Sequence, residues 1–336
     1  MIRFTVFPHL YIRPEEKANP YIHDFIHALN ESGEATVINP PHKNPLLSIL
    51  LPKYWGDVII FNWFESIPDF KYGTLQSIIA FFFLLLLRIC RRKIIWVYHN
   101  KRPHAQGKKL LKKLLANLIA HNATLIITHA QEGVNLIQQQ YPFAANKVHF
   151  LHHPTKDRTS LRKWDTVPKY DLLIWGQIAR YKGVFEFVHF LKKSNSKLRV
   201  CIIGGCSDAL YQELQQQIST SITLIHKAPS FEELASYIDQ SEFVLAPYAP
   251  ETILSSGMLM DSLSYGSKII GPHVGSFRDY SLLPELKVYT FHSFEDIPLL
   301  VDKYHAESVS LIDYQKFLQK NSWSNEVRAL IKLIKN

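Results

Sequence analysis

The chain has 336 residues, of which 47% are hydrophobic, and it carries a formal net charge of +9. This length and this ordinary globular composition predict two folded domains and exclude a disordered or low-complexity protein. The excess of positive charge suggests an anionic partner, for which nucleic acid, a phosphate-rich substrate and an anionic membrane face are the three candidates.

The cysteines Cys90, Cys201 and Cys206 show neither C-x-x-C spacing nor an even framework. We therefore expect neither disulfides nor a structural zinc site, as suits a reducing cytoplasm. The opening residues MIRFTVFPHL lack a positively charged segment followed by a long apolar one, so we expect no secretory signal.

Short apolar or β-branched runs alternate with helical patterns through the first half of the chain. These runs predict strands at residues 2–7, 36–38, 57–61, 93–98, 124–128 and 147–151.

Residues 78–87 form the most apolar run of the chain, and basic residues follow it directly. The run is about half of the roughly 20 residues that a membrane span needs. It is either a helix buried against a sheet or a helix dipped into one leaflet with basic neighbours at the headgroups, and both can hold for different faces. The basic residues are Arg88, Arg91, Arg92, Lys93, Lys101, Arg102, Lys108, Lys109, Lys112 and Lys113.

The second half shows the same alternation of strand and helix patterns, with strands predicted at residues 171–175, 198–203, 221–225, 242–246, 268–270 and 287–289. Residues 152–170 between the halves are polar and contain two prolines, which favours a linker. The pattern predicts an α/β protein of two Rossmann-like doubly wound domains that face each other across a cleft, at residues 1–160 and 161–318. Residues 319–336 contain an amphipathic helix that Ser324 can cap, and we expect it to pack back on the first domain.

Residues 243–275 read as a strand, a loop, a helix and a second strand. In the loop, Ser255 or Ser256 can cap the helix, and Gly257 lets a ligand approach the backbone. The helix start offers free N–H groups at the positive end of its dipole, which suits a phosphate. The alternative interpretation is that the serines only cap a structural helix, since serine is among the commonest N-caps.

Other loops follow predicted strands in the same half. Gly176 allows a tight turn, and Arg180 and Lys182 place two cations beside a helix start, which suits a diphosphate. The alternative is a solvated loop with two surface charges. Residues 226–230 can present backbone groups to a nucleotide base or form an ordinary capped loop, and the glycines at 204 and 205 leave room for a ligand.

The order of these motifs resembles the donor-binding domain of GT-B glycosyltransferases, and especially the bacterial enzymes that build capsular and exopolysaccharide repeat units. In the second domain the likeness rests on GxIxxYKG at 176–183, EEL at 232–234, Pro247-Tyr248, Ser256-Gly257, SYG at 264–266 and GPxVG at 271–275. In the first domain it rests on WVYHN at 96–100, Pro103-His104 and Asn19-Pro20-Tyr21.

The resemblance implies that the second domain holds a UDP- or GDP-linked sugar, with no cofactor and no metal ion. It assigns the donor diphosphate to Arg180, Lys182, Ser255, Ser256 and Gly257. It assigns the nucleotide or its sugar to Gly204, Lys227, Ala228, Tyr248, Glu251 and Asp261. Many relatives carry a glutamate pair in this helix region. Here Asp261 holds the second position and Ile253 the first, with Glu251 out of register.

By the same resemblance the first domain binds a glycan acceptor and completes the reaction. Its acceptor-binding candidates are Asn19, Tyr21, Asn62, Trp63, Asn100 and His104. His99 either contacts the donor or acceptor catalytically or has a structural role, and Glu65 and Asp24 are candidates for the carboxylate base that inversion requires.

The leading prediction is a cytoplasmic glycosyltransferase, peripheral on the inner face of the cytoplasmic membrane, whose acceptor is a sugar on a polyprenyl diphosphate. The alternatives are a nucleotide-sugar epimerase of the same architecture and a non-catalytic nucleotide-binding subunit. We expect no nucleic acid partner, because the basic residues are not interleaved with aromatic ones.

Overall fold

The computed structural model describes residues 1–11, 20–101, 107–251 and 253–335. The chain divides into two compact units, which we call unit 1 (Met1–His153 and Trp323–Asn336) and unit 2 (Pro154–Ser322). The division at residue 153 lies within the polar stretch 152–170.

Unit 1 is built on a parallel six-stranded sheet. Its strands are β1 (Ile2–Phe7), β2 (Ala35–Val37), β3 (Val58–Asn62), β4 (Lys93–Tyr98), β5 (Leu125–Thr128) and β6 (Val148–Phe150), in the order β2-β1-β3-β4-β5-β6. Its helices, among the described residues, are α1 (Tyr21–Glu31), α2 (Leu47–Leu50), α3 (Gly73–Ile89), α4 (Lys109–Asn122), α5 (Gln131–Gln140) and α13 (Trp323–Lys335), with 3-10 turns at Pro52–Tyr54, Phe64–Asp69 and Pro142–Lys147. The strand order reverses between β1 and β3, where sheets of this kind bind ligands at the carboxyl ends of the strands.

Unit 2 is built on a second parallel sheet of six strands. They are β7 (Tyr170–Trp175), β8 (Val200–Ile203), β9 (Ile222–Ile225), β10 (Ser241–Leu245), β11 (Ile269–Pro272) and β12 (Val288–Phe291), in the order β12-β11-β10-β7-β8-β9. The described helices are α6 (Val184–Lys193), α7 (Asp208–Gln215), α8 (Phe231–Asp239), α9 (Gly257–Leu263), α10 (Gly275–Ser281), α11 (Asp296–Tyr304) and α12 (Leu311–Lys320), with 3-10 turns at Thr159–Leu161 and Arg180–Lys182. Here the order reverses between β7 and β10.

These sheets confirm the predicted fold class of two Rossmann-like doubly wound units. Every predicted strand lies within a few residues of an observed one, because parallel strands covered on both faces are continuous apolar runs. In β8, for example, Val200 and Ile202 enter one core cluster and Cys201 and Ile203 the other.

Helix α13 contributes to the core of unit 1. Its buried residues Val327, Leu330, Ile331 and Ile334 share a cluster with α1 and with strands β1, β3, β4 and β5. The Lys93 ammonium adds a hydrogen bond of 2.6 Å to the Ile334 carbonyl. The core of unit 1 is therefore completed by a segment that follows unit 2 in the chain.

The polar stretch after residue 153 is not a solvated linker throughout, because it belongs to unit 2 and its arginines bond to other elements of that unit. Arg158 donates to Asp261 at 3.2 Å and to the Ser264 hydroxyl at 3.0 Å. Arg162 Nε lies 2.7 Å from the buried carboxylate of Asp239. Opposite charges in elements distant along the chain anchor the stretch, and its composition did not reveal this.

Candidate functional site

The candidate donor site of unit 2 lies where its strand order reverses, at the carboxyl ends of β7 and β10. A small pocket there is lined by the loop after β7, the start of α6, Pro247 and Tyr248 after β10, and Met258 of α9. Lys182 is among the lining residues. The fold therefore brings the two motifs that the sequence places far apart into one pocket.

Lys182 is the charged group of this pocket. A Cβ built on Gly176 would lie 3.6 Å from its ammonium nitrogen, so this glycine leaves open the backbone beside the cation. Burial lowers the pKa of Lys182 to about 8. Among the described residues no carboxylate lies within ion-pair distance of Lys182, which leaves a partly buried cation that favours an anionic ligand.

The Ser256 side chain caps α9 by accepting a hydrogen bond of 3.2 Å from the Leu259 N–H. A Cβ on Gly257 would meet nothing within 4 Å, so space is open at the start of the helix. Gly266, with φ of +71°, follows the last turn of α9 and ends this segment. The cap thus fixes the start of the helix whose Met258 lines the pocket.

Arg180 differs from Lys182 because it is exposed and already paired. Its guanidinium forms a hydrogen-bonded ion pair with Glu213 of α7 and lies 4.5 Å from the centre of the Phe185 ring. A diphosphate bound to Arg180 therefore competes with this carboxylate.

The other donor candidates lie in varied surroundings. Lys227 pairs with Glu233 on α8, Asp261 accepts from Arg158, and Glu251 and Ala228 are exposed. Ser255 is partly buried beside the cap. Gly204 has a packing reason for its identity, since an added Cβ would lie 1.8 Å from the Gly176 carbonyl oxygen.

In unit 1, aromatic and histidine side chains collect at the carboxyl ends of the strands. The His99 ring follows β4 and stacks on Trp63 with centroids 4.5 Å apart, while the Tyr21 ring meets it edge-on at 5.1 Å. Asn62 is fully buried and hydrogen-bonds His99. The structure therefore brings together four of the candidates predicted for this domain.

Two histidines that the sequence reasoning missed join this cluster. His129 follows β5 as His99 follows β4, and His153 lies beyond β6. Because ligands of parallel sheets bind at the carboxyl ends of the strands, a search of the residues after each predicted strand would have found both. The His129 ring lies 5.7 Å from His99 and 5.1 Å from His153. Its Nδ1 donates to the Leu151 carbonyl, which leaves Nε2 to accept from the Tyr21 hydroxyl at 3.0 Å.

The carboxylate candidates lie in different surroundings. Glu65 is buried and accepts from Trp96 Nε1 at 3.4 Å, on the face of β4 opposite to Tyr21 and His99. Burial raises the pKa of Glu65 to about 7. Asp24 is buried on α1, with its carboxylate 3.7 Å from the exposed His23.

The remaining candidates of this domain have less structural context. Asn100 is partly buried directly after His99. Asn19 and His104 lie outside the described residues. Among the described residues no group of three or more His, Cys, Asp or Glu side chains is arranged to hold a metal ion.

No protein-family model matches the sequence, and no curated protein is similar to it in sequence. Solved structures are similar to it in fold. Anabaena HepE in complex with UDP-glucose has a TM-score of 0.67 at 11% identity, with 100% of each chain covered. A glycosyltransferase from Rickettsia africae has a TM-score of 0.64 at 11% identity, covering 99% of this chain and 98% of that one. The lipopolysaccharide outer core galactosyltransferase WaaB has 0.63 at 14% identity, with 99% and 98% covered. These neighbours are GT-B glycosyltransferases, and the chain shares their fold.

Proposed function

We propose that the protein is a glycosyltransferase that moves a sugar from a UDP- or GDP-linked donor to a hydroxyl group of a glycan acceptor. The observation that carries the proposal is the partly buried Lys182, which has no carboxylate partner in the part of the chain that the structure describes and lies at the strand-order reversal of unit 2. Ligands of doubly wound sheets bind at this place. The UDP-glucose complex of the structurally similar HepE supports a nucleotide sugar as the ligand class.

The chemistry of transfer explains why these groups are needed. When the bond to the anomeric carbon breaks, negative charge develops on the departing diphosphate. Lys182 supplies a pre-placed positive charge, the start of α9 beside the open space at Gly257 supplies backbone donors, and Arg180 can join them when it leaves Glu213. These cations replace the metal ion that other transferases use, so we propose that the reaction needs none.

Unit 1 supplies the acceptor side in this proposal. Trp63 and Tyr21 offer aromatic faces for a sugar ring, and His99 offers a ring nitrogen for a hydroxyl group. If the reaction inverts the anomeric centre, the base is Asp24 or Glu65. Burial raises the pKa of Glu65 to about 7, so near neutral pH part of the population is deprotonated and can accept a proton.

A panel of UDP- and GDP-sugars tests the proposal. We expect slow release of free nucleotide from one donor, because transferases hydrolyse their donors when no acceptor is present. Chromatography of the nucleotides measures this release. An altered sugar with the nucleotide intact would instead identify an epimerase, and failure to bind any nucleotide would refute both activities.

We further propose that the acceptor is attached to a polyprenyl diphosphate, so that the protein works at the inner face of the cytoplasmic membrane as a peripheral protein. No described helix is both long enough and apolar enough to span a bilayer. Helix α3 has two apolar faces, one of which is buried through Ala80, Phe83, Leu84 and Leu87. The outer face exposes Leu75, Ile78, Phe81, Phe82, Leu86 and Ile89.

The charges around α3 support this orientation. Four cations on α3, on α4 and in the turn between α3 and β4 are exposed and have no acidic partner among the described residues. They are Arg88, Arg91, Lys109 and Lys113. The other basic residues of the region that the structure describes have partners within the protein, as when the buried Lys112 pairs with Asp69 at 2.7 Å. Arg102 lies outside the described residues. Basic residues near a surface attract anionic lipids by about 1 kcal/mol each.

Replacing Phe82 with serine is expected to weaken binding to anionic phosphatidylglycerol vesicles about tenfold, because burying a Phe ring contributes about 1.5–3 kcal/mol. Phe82 is 63% exposed, so the fold does not depend on it. Vesicle sedimentation measures the binding. Leu299→Ser, at a 68% exposed site in unit 2, is the matched control and should bind like the unchanged protein. Equal loss in both variants, or no binding by the unchanged protein, would contradict membrane insertion of α3.

A further inference from the structure

Two histidines lie one turn apart on the outer face of α1. His23 and His27 are separated by four residues, a spacing that places two side chains next to each other on one side of a helix. The opposite face of α1 is buried in the core of unit 1 through Phe25 and Leu29, whereas 72% of the His23 side chain and 62% of the His27 side chain are exposed. The centroids of the two rings are 6.4 Å apart, and the ring planes are inclined by 24°. The helix therefore presents two accessible imidazoles side by side.

A carboxylate lies beside each of these rings. Nδ1 of His27 is 2.9 Å from Oε2 of Glu31, and Nδ1 of His23 is 3.7 Å from Oδ1 of Asp24. An ionised carboxylate only accepts hydrogen bonds, so it favours the proton on Nδ1 and leaves the lone pair of the ring on Nε2. Histidines that bind metal ions usually donate their other ring N–H to a carboxylate or a carbonyl group in the same way. Both rings are therefore set to bind a metal ion through Nε2.

A third histidine, His9, lies near the pair in the segment after β1. Its Nδ1 donates to the Asn39 carbonyl oxygen at 2.8 Å. Burial, and less strongly the nearby His23, lower the pKa of His9 despite this bond and so favour its uncharged form. A metal ion at the pair therefore meets a neutral imidazole at this neighbour instead of a positive charge.

The spacing of the pair matches an established way of holding a metal ion. The helical motif H-E-x-x-H binds Zn²⁺ through its two histidines, and residues 23–27 of this chain read H-D-F-I-H. Imidazole nitrogen suits Zn²⁺, Cu²⁺ and Ni²⁺, whereas Mg²⁺ and Ca²⁺ prefer oxygen ligands. Two ligands on one helix bind more tightly than one, because the second bond forms within the same molecule. Among the described residues no third His, Cys, Asp or Glu side chain completes such a group, so water fills the remaining positions around the ion.

We propose that His23 and His27 chelate a divalent transition metal ion of the class of Zn²⁺ on the outer face of α1. Because both side chains are exposed, they can turn towards one ion without disturbing the core. The ion ties two turns of α1 together and so stabilises the helix that carries Tyr21 and Asp24 on its buried face. It takes no part in the proposed transfer of a sugar, and its binding does not depend on that activity.

Titration calorimetry with Zn²⁺ tests the chelation. His23→Gln and His27→Gln should each weaken Zn²⁺ binding about tenfold or more, since even the outer partners of a metal ligand are worth about 10–100-fold in affinity. The double variant should lose little more than either single one, because each change removes the same two-ligand site. His189→Gln is the matched control and should bind Zn²⁺ as the unchanged protein does, because His189 is exposed on α6 with no histidine three or four residues away. Additive losses in the double variant, an equal loss in the control, or no Zn²⁺ binding by the unchanged protein would overturn the proposal.

Hydrogen exchange measured by mass spectrometry locates the ion on the helix. At a Zn²⁺ concentration of about 100 times the Kd, amides of α1 whose exchange requires the helix to open should exchange about a hundredfold more slowly. Amides of α8 in unit 2 should exchange at an unchanged rate. Mg²⁺ at the same concentration should not protect α1, and His27→Gln should abolish the protection by Zn²⁺. Equal protection of α1 and α8, protection by Mg²⁺, or protection that persists in His27→Gln would show that the ion is not held by this pair.

Discussion

Replacing Lys182 with methionine is expected to weaken UDP or GDP binding about a hundredfold while leaving the affinity for the matching nucleoside within about twofold. The methionine keeps the apolar stem and removes the charge. Hydrogen bonds to charged groups contribute about 1.5–3 kcal/mol, and each 1.4 kcal/mol is a factor of ten. Isothermal titration calorimetry with nucleotide and nucleoside measures both affinities.

The exposed Lys193 of α6 provides the control for this prediction. Lys193→Met changes the net charge of unit 2 equally but lies outside the pocket lining, so it should change nucleotide affinity little. Arg180→Met should have a smaller effect than Lys182→Met, because Arg180 must first leave Glu213. If Lys182→Met weakened nucleoside and nucleotide binding equally, the lysine would be maintaining the fold of the loop instead of binding the diphosphate.

The same lysine gives the binding a pH dependence. In the unliganded protein the pKa of Lys182 is about 8, so the ammonium form predominates below that pH and is lost above it. A terminal phosphate is fully ionised above pH 7, since its second pKa is about 6. Diphosphate affinity should therefore fall as the pH rises from about 7 to 9, and Lys182→Met should remove this fall.

Arg162→Met is expected to destabilise unit 2 by about 3–5 kcal/mol. The substitution leaves the carboxylate of Asp239 buried with only the Lys163 N–H, at 2.8 Å, still bonded to it. Removing one partner of a buried ion pair has this magnitude because the remaining charge is uncompensated. Hydrogen exchange measured by mass spectrometry should show faster exchange in strands β7, β8 and β10 and no change in β3 and β4.

Arg199→Met is the comparison within the same unit. Arg199 pairs with Asp171 at 2.6 Å, but its side chain is 55% exposed, against 13% for Arg162. Exposed pairs contribute about 0–1 kcal/mol, so this variant should exchange nearly as the unchanged protein does. A similar loss in both variants would show that burial does not set the strength of these pairs.

The strands were predictable because each is a short apolar run whose neighbours along the chain are helical patterns. The meeting of Lys182 and Tyr248 was also within reach, because parallel sheets place the carboxyl ends of their strands at one edge. The pairing of Arg180 with Glu213 and of Asp261 with Arg158 was not. Those pairings depend on how a helix comes to lie beside a turn or loop that is distant in sequence, and no local pattern records that.

The two faces of α3 show the same limit. Composition alone left burial and membrane contact equally open for residues 78–87, because both need apolar side chains. The structure shows that Phe83 and Leu84 are buried and that Phe82 is exposed, so burial holds for one face, and membrane contact of the other face is our proposal.

The position of α13 has a consequence for biosynthesis. The ribosome synthesises the first 153 residues well before it adds Val327 and Ile331. We therefore expect the apolar side chains that α13 covers to stay exposed on the first half of the chain until translation is nearly complete, and chaperones to bind there. Truncations that remove α13 should consequently yield fragments that aggregate and are degraded quickly, even when they retain every residue of the nucleotide pocket.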